Sequence, residues 1–281
     1  MELKKVTTFH LGGKAKYFYS VSKETELKLL LRELKQKNIP FYILGSGSNL
    51  LVSDNGVKGA VIKLAGDFRR ITFSRTTAKA GGAVKLAQVM AGSRRRNLTG
   101  AEFLWGLPGT VGGAVKMNAG TRDRSLADIT KRVVVMSRAG VIKTLSPRQI
   151  KFCYRSSAIA DDEIILSAEL TLHKSLQNVI NKKLLSYRVQ RRTQPWGFST
   201  GCVFKNPRGR SAGALIDQAG YKGKKVGGAM VSPVHANFII NRDGKARARD
   251  VWKLIRDIQA AVKKKFGVKL ELEIKLWGDF S

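Results

Sequence analysis

The chain has 281 residues, 43% of them hydrophobic, and 28 glycines spread along it, so it can bury a large core and is too apolar to stay disordered. It carries 52 Lys and Arg against 20 Asp and Glu, a formal charge of +32, which favours polyanionic partners. The basic residues are nevertheless scattered and show no recognition-helix or aromatic-interleaved pattern, so a basic solvated surface is expected, with nucleic acid bound only non-specifically.

The opening stretch MELKKVTTF lacks the apolar core of a secretory signal, and no run reaches the roughly 18 apolar residues of a spanning helix. A cytoplasmic protein with no membrane partner is expected. Leu27, Leu30, Leu31 and Leu34 recur at helical spacing between Ser22, a candidate cap, and Pro40, which predicts a helix over about 23–37. Residues 41–44, 49–54 and 59–64 read as short strands and 83–96 as a second helix. Residues 103–120 are glycine-dense and aperiodic, an expected functional loop. Strands are predicted over 131–136, 140–145 and 163–173, then a helix over 178–192. The weakly patterned stretch 193–200 is the expected interdomain boundary. A helix follows over 212–220. Val251, Leu254, Ile255, Ile258 and Val262 mark a last long helix, ended at Phe266 and Gly267 before a strand over 269–276. The pattern is α+β in two lobes. With no secretory signal, Cys153 and Cys202 are expected to stay reduced, and the spacing of His10, His173 and His235 predicts no metal site.

Five stretches could carry chemistry. In LGSGSNL, small residues at 45–48 let backbone N–H groups converge as they must to cradle a pyrophosphate, although a plain tight turn has the same composition. A strand follows it and no Gly-Lys-Ser/Thr is present, so it is neither a doubly wound dinucleotide fingerprint nor a P-loop. In GLPGTVGGAVKMNAG, at 106–120, glycines clear space for a flat ligand, and Thr110, Asn118 and backbone amides could bond a planar ring. In FCYRSS, Arg155 follows an aromatic residue and could clamp a carboxylate, or could be a surface arginine. GCVFKNP sets a thiol, an ammonium and an amide close together, yet a lone cysteine such as Cys202 is more often an inert small apolar residue. VSPVHANFI and LELEI add His235, Asn237 and the carboxylates of Glu271 and Glu273, which share one face if the segment is a strand.

In this order the motifs resemble the UDP-N-acetylenolpyruvoylglucosamine reductases, the MurB family. The resemblance runs through TTFHLGG, LGSGSNLLVSD, GLPGTVGGAVKMNAG, YRSS, GCVFKNP, AGALIDQAGYKG, GGAMVSPVHANFIIN and FGVKLELEIKLWG, nearly the whole chain. The short interval from Tyr154 to Gly201 is similar to the family's shorter type, which lacks a substrate-covering insertion. The resemblance implies an α+β fold: an FAD-binding region of the vanillyl-alcohol-oxidase or PCMH type in two subdomains, 1–65 and 66–180, and a separate α+β substrate-binding lobe, 181–281. It assigns Gly45, Ser46, Gly47, Ser48, Asn49 and Leu50 to the FAD pyrophosphate, and Gly109, Thr110, Gly112, Gly113, Asn118, Ala119 and Gly120 to the flavin. NADPH is implied as donor and UDP-N-acetylglucosamine enolpyruvate as acceptor, in peptidoglycan precursor synthesis by a monomer. Arg155 takes the place of the arginine that stabilises the enolate, and Glu273, rather than Glu271, that of the assisting glutamate. Cys202 stands where the family's proton donor is usually serine. Tyr154, Lys205, Asn206, His235 and Asn237 fall at substrate positions. Two other readings share part of the pattern. One is a PCMH-type flavin oxidase, many of which tether flavin through a histidine that LGSGSNLLVSD lacks. The other is a polyanion-binding protein on a degenerate reductase scaffold.

Overall fold

The computed structural model describes residues 1–192 and 194–280, so Thr193, at the start of the expected boundary stretch, lies outside the described residues. Among the described residues lie seven α-helices: α1 (Glu24–Gln36), α2 (Leu86–Arg94), α3 (Val111–Lys116), α4 (Pro147–Ile150), α5 (Gln177–Gln190), α6 (Ala212–Gln218) and α7 (Ala248–Phe266). The chain divides into two compact units that are discontinuous in sequence. One comprises Phe18–Ser46 and Ala60–Arg192, the other Met1–Tyr17, Gly47–Gly59 and Thr193–Ser281. Compactness thus cuts the chain differently from the three contiguous functional segments expected, because 1–17 and 47–59 join the C-terminal part.

The first unit is built on a five-stranded antiparallel sheet in the order Ile71–Ser74, Thr77–Gly81, Ile164–Thr171, Thr130–Met136, Ile142–Leu145. Val84, Leu86 and Val89 from around α2, Val111 and Val115 of α3, and Val133, Ala168 and Leu170 of the sheet form one buried cluster. The hairpin from Ile71 to Gly81 was not legible in the sequence. It packs so closely on α2 that a Cβ on Gly92 would come within 2.6 Å of the Phe73 ring. Within the stretch expected to be an aperiodic loop, residues 111–116 form α3, because the Thr110 hydroxyl accepts from the Gly113 N–H and starts a turn the glycines alone did not announce. Helix α1 buries its four predicted leucines. Its cap is Lys23 and not Ser22, because the helix starts one residue later; the Glu26 carboxylate reaches back to accept from the Ser22 and Lys23 N–H groups at 2.8 and 3.3 Å. Phe41–Ile43, a strand expected from the sequence, then pairs in parallel with residues 60–62.

In the second unit α7 buries Val251, Leu254, Ile255, Ile258 and Val262 and ends at Gly267, in the left-handed region at φ 70°. The Asp54 carboxylate accepts from the Ala248 and Arg249 N–H groups at 2.9 and 3.0 Å and anchors the start of that helix. Lys225–Val226, Ala229–Val231 and Ile239–Asn241 form a small antiparallel sheet. The predicted strand over 269–276 is realised in two parts. Lys275–Trp277 pairs in parallel with Leu50–Val52, while residues 271–273 exchange backbone hydrogen bonds with 203–205 before a bend separates the two.

Candidate active site

In the second unit three segments meet at residues 202–205. On one side Cys202 forms an antiparallel bridge with Phe238, and the Val203 N–H donates to the Asn237 carbonyl at 2.8 Å. On the other, the Lys205 N–H donates to the Glu271 carbonyl and the Glu273 N–H to the Val203 carbonyl, both at 2.8 Å. Cys202 and Glu273, far apart in sequence, are therefore carried on adjacent backbones. The Lys205 ammonium lies 3.5 Å from the exposed Glu271 carboxylate, while Glu273 is half-buried. Asn49 joins the same assembly, since its side-chain amide donates to the Glu273 carbonyl at 3.1 Å and its carbonyl accepts from the Lys275 N–H. Thr8, from TTFH, extends it further by donating through its hydroxyl to the Ser199 carbonyl at 2.8 Å.

Two expected ligand-contacting side chains here are committed to the fold. Asn237 is buried, with its carbonyl accepting from the Phe204 N–H and its amide donating to the Phe204 carbonyl, at 2.9 and 2.8 Å. It fixes the strand that carries Cys202 and Lys205. The Asn206 carbonyl oxygen accepts from the Ala212 N–H at 2.9 Å and, with Ser211, caps α6. The His235 Nδ1 accepts from the Asn237 N–H at 3.2 Å, which leaves the proton on Nε2. Burial pushes this imidazole below its ordinary pKa, and the nearby Lys222 ammonium acts in the same sense, so the neutral form is favoured. Because the unfolded chain then binds the extra proton, stability conferred around His235 falls as pH drops below about 6.5.

In the first unit the glycine-dense stretch and the arginine turn are stitched together. Asn118, buried and left-handed at φ 43°, donates to the Cys153 carbonyl and accepts from the Ala127 N–H, both at 2.9 Å. The Ser157 hydroxyl donates to the Lys116 carbonyl at 2.9 Å. These bonds hold a tight turn, in which Cys153 and Ser156 exchange backbone bonds and Arg155 sits at φ 56°, its guanidinium 5.2 Å from the centre of the exposed Tyr154 ring. Asn118→Gly, which keeps the left-handed backbone, is expected to destabilise the protein by about 2 kcal/mol through the groups it orphans, read as a lowered denaturation midpoint.

The LGSGSNL loop is divided between the units. Gly45 and Ser46 belong to the first, where Gly45 lies so close to Thr110 that a Cβ would come within 2.7 Å of its hydroxyl. Gly47, Ser48, Asn49 and Leu50 belong to the second, where Gly47 at φ 64° crowds the Val6 carbonyl and accepts from the Thr8 N–H. Of the remaining expected flavin residues, the Gly109 carbonyl accepts from the Leu86 N–H, the Gly112 N–H donates to Gly82, Gly113 lies exposed in α3, the Ala119 N–H donates to Ala114, and Gly120 packs on Arg124 and Ser125.

Sequence reading missed Lys85. Its ammonium donates to the Ser46 hydroxyl at 2.8 Å, and its backbone bridges to Thr110, so it joins the two glycine stretches. Burial, followed by repulsion from Lys63 and Arg69, holds its pKa below the usual lysine range. None of these three cations has a carboxylate partner among the described residues, an arrangement that fits a bound diphosphate. One lysine among 52 basic residues gave no signal of this in the sequence. Among the described residues no cluster of three or more His, Cys, Asp or Glu could hold a metal ion, and Cys153 and Cys202 form no disulfide.

A family model described as an FAD binding domain matches residues 15–146, and one described as the C-terminal domain of UDP-N-acetylenolpyruvoylglucosamine reductase matches residues 193–277. Together they define the class, a two-part FAD-dependent oxidoreductase. A curated relative from Symbiobacterium thermophilum, UDP-N-acetylenolpyruvoylglucosamine reductase 2, is 41% identical over 98% of this chain and 90% of its own. Another, from Caldanaerobacter subterraneus subsp. tengcongensis, is 40% identical over 99% of this chain and 92% of its own. The solved UDP-N-acetylenolpyruvylglucosamine reductase (MurB) from Thermus caldophilus superposes with a TM-score of 0.87 at 39% identity, covering 99% of this chain and 98% of that one. The chain belongs to the UDP-N-acetylenolpyruvoylglucosamine reductase family.

Proposed function

We propose that the protein reduces UDP-N-acetylglucosamine enolpyruvate to UDP-N-acetylmuramate with NADPH, for peptidoglycan precursor synthesis. The observation that carries this reading is the pairing of residues 202–205 with 271–273 and 237–238, which places a thiol, an ammonium and a carboxylate on adjoining backbones. Bound FAD supplies a relay that takes hydride from NADPH and gives it to C3 of the enolpyruvyl group. The chain's own residues handle the charge and the proton. As C3 gains hydride, negative charge spreads over C2 and the carboxylate. The Arg155 guanidinium, held in its strained turn by the Asn118 bonds, stabilises that charge, with Glu273 assisting. The Cys202 thiol then gives its proton to C2, which completes the saturated lactyl ether. Tyr154, Lys205 and the Nε2–H of His235 bind substrate, whereas Asn206 and Asn237 act by holding the backbone of that site. The protein works as a cytoplasmic monomer and binds nucleic acid only non-specifically.

Gly45 to Leu50 would hold the FAD diphosphate, and Lys85, bonded to the Ser46 hydroxyl, would supply countercharge to it. Lys85→Gln is expected to weaken FAD binding to the apoprotein about tenfold and to flatten its salt dependence, both read from flavin fluorescence. The functional test is anaerobic. NADPH should bleach the yellow protein, and the enolpyruvyl nucleotide should restore its colour. A flavin that NADPH leaves oxidised, or that only oxygen recolours, would overturn the reductase reading.

A further inference from the structure

The solvent side of α5 is unlike the rest of the surface. The helix packs inward through Ile180, Leu184 and Tyr187. Outward it exposes apolar side chains where polar ones would be expected: Leu176 just before it at 71%, then Val179 at 40%, Leu185 at 59% and Val189 at 53%. Of the twelve exposed large apolar residues described, three fall on this one helix and a fourth, Leu176, just before it, so they are clustered and not scattered. At 100° per residue, Val179, Lys182, Leu185, Ser186 and Val189 share one third of the helix circumference, with Lys183 and Arg188 on its flanks.

The charged residues on α5 itself, Lys182, Lys183 and Arg188, are all basic, while the Glu102 carboxylate beneath the helix is buried and bonded to Thr99 and the Gly100 N–H. From Leu170 to Arg192, where this unit ends, the sequence contains no acidic residue and six Lys or Arg. Within the same unit the C-terminal end of α2 lies beside α5, with the Arg94 Nε donating to the Asn181 carbonyl at 3.0 Å, and so brings Arg94 and Arg95 to the same flank. Lys174, Lys182, Lys183, Arg188, Arg94 and Arg95 form no ion pair among the described residues. A second copy of this chain would bring the same positive charge against it, which disfavours self-association through this face. A nucleic acid would satisfy the charge and leave the valines and leucine in water. A bilayer with anionic headgroups satisfies both, taking the cations at the phosphates and the apolar ridge at the acyl boundary.

We infer that α5 is a docking surface for an anionic phospholipid bilayer, held at the interface without crossing it. No described helix is long and apolar enough to span. The inference goes beyond the reductase reading and does not depend on it. Scattered basic residues gave no hint of a membrane partner in the sequence, and only the exposure of the apolar residues between them does.

The test uses the FAD-loaded protein and sedimentation with vesicles of phosphatidylcholine alone or mixed with phosphatidylglycerol. Binding is expected only to the anionic vesicles and should weaken with salt. Removing the charge by Lys182→Gln and Lys183→Gln should cost about fivefold for each cation. Leu185→Ser with Val189→Ser keeps every charge, and should weaken vesicle binding roughly tenfold while leaving retention on double-stranded DNA unchanged. Both residues are more than half exposed, so the fold should tolerate the change, checked by an unaltered melting temperature. No binding to anionic vesicles overturns the inference. So does vesicle binding that the serine pair leaves intact, which would mark a plain polyanion surface, or a dimer in solution that the serine pair abolishes.

Discussion

Cys202→Ala is expected to leave anaerobic bleaching of the flavin by NADPH within a few-fold of the parent protein, while slowing the return of colour on adding enolpyruvyl nucleotide by about 10²–10⁴-fold. The asymmetry follows from what the side chain supplies. A proton donor to C2 has no part in the hydride transfer from NADPH, and alanine removes the proton without enlarging the residue. Cys202→Ser should restore most of the rate, because a hydroxyl in the same place can also donate. The two donors should differ in their response to alkali. A thiol is a stronger acid than a serine hydroxyl, so recovery of colour should be more sensitive to alkali in the parent than in the serine variant. Equal loss in both half-reactions for Cys202→Ala, or identical pH profiles for Cys and Ser, would rule out the donor role.

Arg155→Lys is expected to lower kcat/KM for the enolpyruvyl nucleotide by about 10²–10³-fold, again with flavin bleaching by NADPH little changed. The substitution keeps the positive charge and the Cβ, so the φ of 56° is equally demanding for both residues and the turn should be retained. What is lost is the planar fork that can bond two oxygens of the developing enolate-carboxylate at once. An unchanged melting temperature would show that the turn survives. If lysine supports full turnover, the arginine supplies charge alone and its geometry is dispensable.

Some of this was legible in the sequence because the signals are local. Helices α1 and α7 declare themselves through apolar residues three and four apart, which burial alone would select. The hairpin from Ile71 to Gly81 was silent because its first strand has only two inner apolar residues, Ile71 and Phe73, and the inner positions of its second are the alanines Ala78 and Ala80, so the alternation is too short to stand out. Its partner strand Ile164–Thr171 lies far along the chain. At the candidate site, the order of the motifs nominated the residues, while the side chains of Asn118 and Asn237, expected at ligand positions, bond backbone in the fold, a commitment that only the partner atoms reveal. Helix α3 was hidden for a related reason, since three of the residues around its start are small and its nucleus depends on the Thr110 hydroxyl.

The pairing of Leu50–Val52 with Lys275–Trp277 sets an order of assembly during synthesis. Segments 18–46 and 60–192 hold all the contacts of the first unit and emerge early from the ribosome, whereas the strand that follows LGSGSNL must wait for residues made last. Until then Leu51 and Val52, both fully buried in the finished protein, have no parallel neighbour to pair with. A nascent chain arrested before Lys275 should therefore resist protease across residues 60–192 and be cut near Leu50, which makes the LGSGSNL stretch one of the last to acquire its shape.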